Sequence, residues 1–281
     1  MNTEIYSTNP CPVCGETDPD CFRIWFDGHL KLFRCHTCSF ISAFPSPGKS
    51  SVIYDYSDLY NLDFAKNGQK FMYPERENAL TDIAGRIKKI IKTGDLLDVG
   101  CGDGQFLYRC SVTGFNCKGV EESKILSDYA SKVTKSDVIC GKYVKDMFPP
   151  QSFDIITLVQ VLEHIQDPGN ALEAAHYHLR ENGIIVIEVP SVNSPHFLAY
   201  RLTGLQKFVK NSNGVIYSHV GYHKPKTIMN LTGRHGFVKI LLVTGRWQYK
   251  YSGFLRLTGR GIDPALNLFG IGGILYMGRK K

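Results

Sequence analysis

Two groups of residues carry chemistry by type and spacing. The first is a pair of Cys-x-x-Cys knuckles, Cys11 and Cys14 in "CPVCG" and Cys35 and Cys38 in "CHTCS". The stretch between the knuckles reads as a β-hairpin. Four thiols so arranged predict a closed, tetrahedral, structural zinc site with no open coordination position. Cys21 and His36 fall off the symmetric pattern and are not expected as ligands. The second group is "LLDVGCGDGQFL", where Asp98 and then Gly100, Gly102 and Gly104 follow an apolar run. A dinucleotide fingerprint would need its third glycine where Gln105 stands, and no Gly-Lys-Ser/Thr follows, so neither phosphate loop fits. An acid at a strand end repels phosphate and suits an ammonium group. Further on, "GVEES" places Glu121 at the end of a second strand, where a carboxylate can accept hydrogen bonds from two ribose hydroxyls. A cationic amino-acid end, a ribose and no phosphate together describe S-adenosylmethionine.

The elements that position these residues follow from periodicity. A helix starts at Tyr73-Pro74-Glu75 and repeats Leu80, Ile83, Ile87, Ile90 and Ile91 toward Thr93-Gly94. "DLLDVG", "NCKGVEES", "DVIC", "FDIITLVQVL" and "GIIVIEVP" read as strands. "GQFLYRCSVTG", "KILSDYASKV" and "PGNALEAAHYHLREN" read as the helices between them, the last closed by Gly183. "TIMNLTGRHG" adds a helix, and "FVKILLVTG" and "GGILYMGRKK" add two strands. Strands alternating with helices of this length predict an α/β, doubly wound Rossmann-like sheet. Cys101, Cys110, Cys117 and Cys140 fall in these elements and read as small apolar fillers.

Taken in order, "LLDVGCGDGQFL", "GVEES", "FDIITLVQVLEHIQDP" and "GIIVIEVP" resemble the successive motifs of class I S-adenosylmethionine-dependent methyltransferases, over about Phe71 to Lys281. The resemblance implies a seven-stranded sheet with an antiparallel last strand. It implies a donor site of Asp98, Gly100, Cys101, Gly102 and Gly104, with Glu121 on the ribose and Gln160 beside the reacting methyl. The family often sets an acid against the adenine amino group after strand three. "CGKYVKD" offers Lys142 there, and Tyr143 is the expected substitute. With the cysteine module in front, "CHTCSFISAFPSP", "LEHIQDP" and "HKPKTIMNLTGRHGF" resemble the branch that methylates sugars and surface-glycan precursors. The expected organisation is a zinc ribbon at 1–45, a linker and N-terminal helix at 46–92, and the methyltransferase core at 93–281 with a substrate lid at about 191–225.

Methyl transfer to a hydroxyl calls for a base. His164, after the fourth strand, and His219, in the lid, are the candidates, against the plainer reading that each is structural. Arg201, Lys207 and Lys210 share an expected helix that could bind phosphate or face solvent.

The chain has 281 residues, 43% of them hydrophobic, and a net charge of +7. Residues 197–281 hold 14 Lys and Arg against the single acid Asp263, so the remainder is net acidic. A basic surface of this kind either is solvated or attracts an anionic partner such as a nucleotide-sugar, a phospholipid headgroup or RNA. No apolar run long enough for a membrane span and no signal-peptide pattern is present, which points to a cytoplasmic protein. The expected activity is methyl transfer to a small, anionic molecule. The alternatives are an RNA methyltransferase gripping through the ribbon and basic third, or a non-catalytic binding module. "VLEHIQDP" stands where base-nitrogen methyltransferases carry Asn/Asp-Pro-Pro-aromatic, which disfavours RNA.

Overall fold

The computed structural model describes residues 10–18, 22–27, 30–45, 70–165, 167–192, 209–211, 214–216, 221–246 and 273–281. The knuckles flank an antiparallel hairpin, β1 (Phe22–Asp27) and β2 (Leu30–Cys35), and β3 (Ile41–Pro45) continues the meander. A 3-10 turn at Pro74–Arg76 opens α1 (Glu77–Ile90), which ends short of the expected Thr93-Gly94. Strand and helix then alternate through β4 (Asp95–Val99), α2 (Gln105–Val112), β5 (Asn116–Glu121), α3 (Lys124–Thr134), β6 (Asp137–Cys140), β7 (Phe153–Val159), α4 (Pro168–His178) and β8 (Leu179–Pro190). The short pair β9 (Val209–Asn211) and β10 (Gly214–Ile216) precedes β11 (Gly221–Tyr222), α5 (Pro225–Arg234), β12 (Phe237–Arg246) and β13 (Gly273–Lys280).

Seven strands form the main sheet in the order β12-β13-β8-β7-β4-β5-β6. β4 pairs in parallel with β5 and β7, and β13 runs antiparallel between β8 and β12. This is the Rossmann-like methyltransferase sheet with an antiparallel last strand. Side chains alternate between its faces. Leu96, Ile155, Ile184, Val186 and Met277 pack with Leu80, Ile83 and Ile87 of α1 and Phe106 and Leu107 of α2. Leu97, Val99, Ile156, Leu158, Ile185 and Ile187 face the other way, against Leu172 and Ala175 of α4 and Ile228 and Leu231 of α5. Each such side chain, fully buried, contributes about 1.5–3 kcal/mol.

Two expectations need correction. α4 ends at His178, and "LREN" belongs to β8. Leu179 turns extended (φ −72°, ψ 136°), is wholly buried and pairs with Phe153. Arg180 reaches Asp95 at 2.8 Å and Asp154 at 2.6 Å, and Asn182 takes a left-handed φ of 64°. Sheet pairing here overrides the helical pattern. Cys140 is exposed, not a core filler, because β6 is the sheet's edge strand; Cys101, Cys110 and Cys117 are buried. Among the described residues, no helix is long and apolar enough to cross a membrane.

The knuckle hairpin is not confined to its own sheet. β11, which follows the main sheet's fifth parallel strand in the chain, pairs antiparallel with β3, with Gly221 opposite Ser42 and Tyr222 opposite Ile41. Cys11, Val13, Cys35, Cys38 and Phe40 belong to the same buried cluster as the α4/α5 face of the main sheet.

Candidate active site and four-cysteine centre

The glycine loop starts where β4 ends. The N–H groups of Gly100 and Cys101 both donate to the Val120 carbonyl, at 2.7 and 3.1 Å, and that of Gly104 donates to the Cys101 carbonyl at 2.9 Å. These bonds fold the loop over the β5 end. Gly100, Gly102 and Gly104 all have positive φ, but they differ in what surrounds them. A Cβ on Gly100 would strike Val161 and one on Gly104 would strike Thr134, whereas a Cβ on Gly102 would meet nothing within 4 Å among the described residues. Gly102 therefore lines open space where a ligand can approach the backbone. Cys101 turns inward, its Sγ filling the space above Gly119.

Asp98 does not reach into the loop. It lies on the α1 face of β4, 2% exposed, and its Oδ1 accepts the Thr157 hydroxyl hydrogen at 2.6 Å across the β4–β7 pair. Burial, with the charge of Glu121 adding to it, pushes its carboxyl up to about 7, against the pull of Thr157 and Arg76. Glu121 accepts from the N–H of Gly102 and of Ser123, both at 2.9 Å, so it ties the loop to the start of α3. Gln160, at the end of β7, has a left-handed φ of 60°, and its backbone N–H donates to the Glu188 carbonyl at 2.8 Å. His164 closes the Leu162–His164 turn, with Nε2 4.0 Å from the Glu163 carboxylate. The Tyr143 hydroxyl is committed to His178 Nδ1 at 2.8 Å, and the other ring nitrogen of His178 meets the Lys145 carbonyl. His219, Arg201 and Lys207 lie outside the described residues. Lys210 is in β9, not in the expected helix.

Sequence reasoning missed Arg76. A cation at the start of a helix opposes the helix dipole, which is the one signal that could have drawn attention to it. Arg76 is held there by carboxylates. Its Nη2 lies 4.0 Å from Glu188, and its charge also acts on Asp98, Asp103 and Glu163. Asp103, also missed, fixes the approach: its Oδ2 accepts the Met72 N–H at 2.6 Å, and Phe71 packs on Tyr108 of α2 at 5.7 Å. Burial, with the charge of Glu188, pushes Glu163 up to about 8. Among the described residues, neither oxygen of Glu163, nor Nε and Nη2 of Arg76, nor Nε2 of Gln105 has a hydrogen-bond partner. Buried polar atoms of this kind cost free energy unless a ligand satisfies them.

The four cysteines converge as well. Cys11 and Cys38 sulfurs are 3.6 Å apart, Cys14 and Cys35 sulfurs 3.5 Å, and all four lie within 4.8 Å of one another. Tetrahedral zinc with Zn–S bonds of about 2.3 Å needs sulfurs roughly 3.8 Å apart. The knuckles are copies of each other: Gly15 N–H donates to Cys11 O and Ser39 N–H to Cys35 O, with both residues left-handed. The Cys11 thiol is lowered, to about 5, by the Cys38 thiol beside it, against burial, with the amides of Cys14 and Val13 helping. Burial raises the Cys14 thiol, to about 12, and the Cys11 thiol raises that of Cys38; a bound metal ion would hold all four as thiolates.

A Rossmann-like sheet of this order, with an open-backed glycine loop and a carboxylate after the next strand, defines an S-adenosylmethionine-dependent methyltransferase. The chain belongs to the methyltransferase domain family, whose model matches residues 70–242. It is 24% identical over 164 residues to the ubiquinone biosynthesis O-methyltransferase of Photobacterium profundum, covering 56% of this chain and 67% of that protein. It is 27% identical over 162 residues to the 27-O-demethylrifamycin SV methyltransferase of Amycolatopsis mediterranei, covering 51% and 58%. An S-adenosylmethionine-dependent methyltransferase of solved structure from Archaeoglobus fulgidus superposes with a TM-score of 0.54 at 19% identity, covering 80% of this chain and all of that one. The enzyme class is thus that of a methyltransferase using S-adenosylmethionine.

Proposed function

We propose that this methyltransferase acts on a small organic acceptor, and that its four cysteines hold a structural zinc ion. The single observation that carries the donor-site reading is the open space at Gly102, whose backbone N–H is held by Glu121 at 2.9 Å. Arg76 and Asp98 fit an amino-acid zwitterion. Arg76 takes the carboxylate, and Asp98 faces the ammonium. Glu121 takes the ribose hydroxyls through lone pairs left over from its two backbone bonds. The backbone of Gly100, Cys101, Gly102 and Gly104 shapes the wall, and Tyr143 holds the adenine-side loop onto α4. The donor supplies an electrophilic methyl on sulfonium. The protein's part is to orient it toward the end of β7, where Gln160 and His164 stand. His164, a quarter exposed beside Glu163, is the proton acceptor proposed among the described residues; His219 is the alternative from outside them.

The named relatives act in ubiquinone biosynthesis and on a demethylrifamycin, by their names. They support a small acceptor. An anionic nucleotide-sugar or glycan intermediate is the finer reading, and it rests on the sequence resemblance and the basic C-terminal third. Isothermal calorimetry with S-adenosylmethionine tests the donor site, with one site per chain expected. Activity on total RNA but on no small acceptor would overturn the small-molecule reading.

A further inference from the structure

Among the described residues, the cysteine ribbon touches the methyltransferase core on both sides of α5. Ahead of α5, β3 pairs with β11. At its end, Arg234 lies over the first knuckle, so close that a Cβ on Gly15 would come within 2.7 Å of its Nη2. Between these places stands His223, wholly buried, its ring 5.1 Å from Phe40, which directly follows the second knuckle. His223 forms a bridge with Ser191 at the end of β8, and its carbonyl accepts the Val192 N–H at 3.1 Å. On its other side is the Leu162–His164 turn. β11 packs on that turn, and the Leu162 carbonyl faces the imidazole. Phe40 and Leu162 share one buried cluster. An unbroken packed path therefore runs from the metal knuckle through Phe40 and His223 to the segment after β7. The path ends one residue beyond Val161, the side chain that a Cβ on Gly100 of the donor loop would strike.

We propose that the ribbon is a positioning element for the acceptor side of the active site: Phe40 and His223 transmit its placement to residues 162–165 more than to the donor loop. The proposal rests on the donor and acceptor sides assigned above. It gives the ribbon a part in the reaction beyond its own folding. Phe40 and His223 are positioning residues, acting through the turn that carries Glu163 and His164. A packed aromatic pair can do this because a close-packed interior moves as discrete arrangements and transmits displacement.

The test is hydrogen exchange by mass spectrometry on the full chain as purified, comparing wild type with Phe40→Ala, which keeps all four thiols. Exchange at 221–224 and 162–165 is expected to rise at least tenfold, with 95–107 within twofold of wild type. Zinc content should stay constant, and the S-adenosylmethionine Kd should stay within threefold. Phe40→Tyr should restore protection. If Phe40→Ala fails to fold, Phe40→Leu carries the same comparison. Unchanged protection at 162–165 overturns the proposal, and so does loosening that spreads equally to 95–107, since that is general loss of stability. Failure of the donor or zinc assignment is read separately, as absent S-adenosylmethionine heat or absent metal in the wild type.

Discussion

At Gly102 the backbone stands at φ 56° with open space where a side chain would project. Gly102→Val should abolish S-adenosylmethionine binding in calorimetry while the fold persists. The left-handed backbone with a β-branched residue costs about 1–2 kcal/mol, so a melting temperature lower by roughly 2–8 °C is expected. Normal donor binding in this variant would refute the assignment of the loop. Asp98 yields a pH prediction. Its carboxyl is raised from 3.8 to about 7, so below that pH it carries a proton and offers no charge to an ammonium. Donor affinity should fall about tenfold from pH 8 to pH 6. The sign for stability is opposite. Between about 4 and 7 the folded, unliganded protein holds a proton that the unfolded chain has released, so stability declines as pH rises through that window. Asp98→Asn, which still accepts from Thr157, should bind the donor weakly and flatten both dependences.

β8 is the element in which local pattern and final structure disagree. The run "EAAHYHLREN" continues a helical rhythm, yet the chain turns extended at Leu179 to pair with Phe153. Asn182 absorbs the reversal in the left-handed region, next to a register shift between Phe153 and Ile155. Asn tolerates that conformation better than other non-glycine residues. Asn182→Gly should be neutral or stabilise by up to about 1 kcal/mol, and Asn182→Val should cost about 1–2 kcal/mol, measured by thermal melts. Equal melting temperatures for the two variants would contradict the left-handed turn. Arg180 anchors the same reversal to Asp95 and Asp154, but all three side chains are partly exposed, so the triad is worth no more than about 1 kcal/mol.

Over the whole molecule, the buried cluster that includes the cysteines also includes the sheet face against α4 and α5. Metal loss should therefore be felt beyond the first 45 residues. Metal analysis should give about one zinc per chain. Chelation or Cys11→Ser should expose the knuckle strands and lower the main melting transition, not merely remove a separate one. A wild type without zinc or iron would refute the metal site. A Cys11→Ser protein whose core melts as wild type would show that the ribbon adds nothing to core stability.

The two chemical signatures were legible because each depends on spacing along the chain. A Cys-x-x-Cys knuckle is built by its own backbone bonds, and the glycine loop with Asp98 and Glu121 sits at the ends of strands whose apolar runs announce them. The alternation of strand and helix also determined the parallel sheet. What the sequence left open depends on partners distant in the chain. Arg76 gains meaning only beside Asp98, Glu163 and Glu188, which the sheet order gathers from two strands and a turn. The end of α4 was decided by pairing with Phe153, and the exposure of Cys140 by the place of β6 at the edge. The joining of β3 to β11 was decided by tertiary structure alone. Backbone hydrogen bonds between strands are indifferent to side-chain type, so a two-residue strand such as Gly221–Tyr222 leaves no periodicity to read.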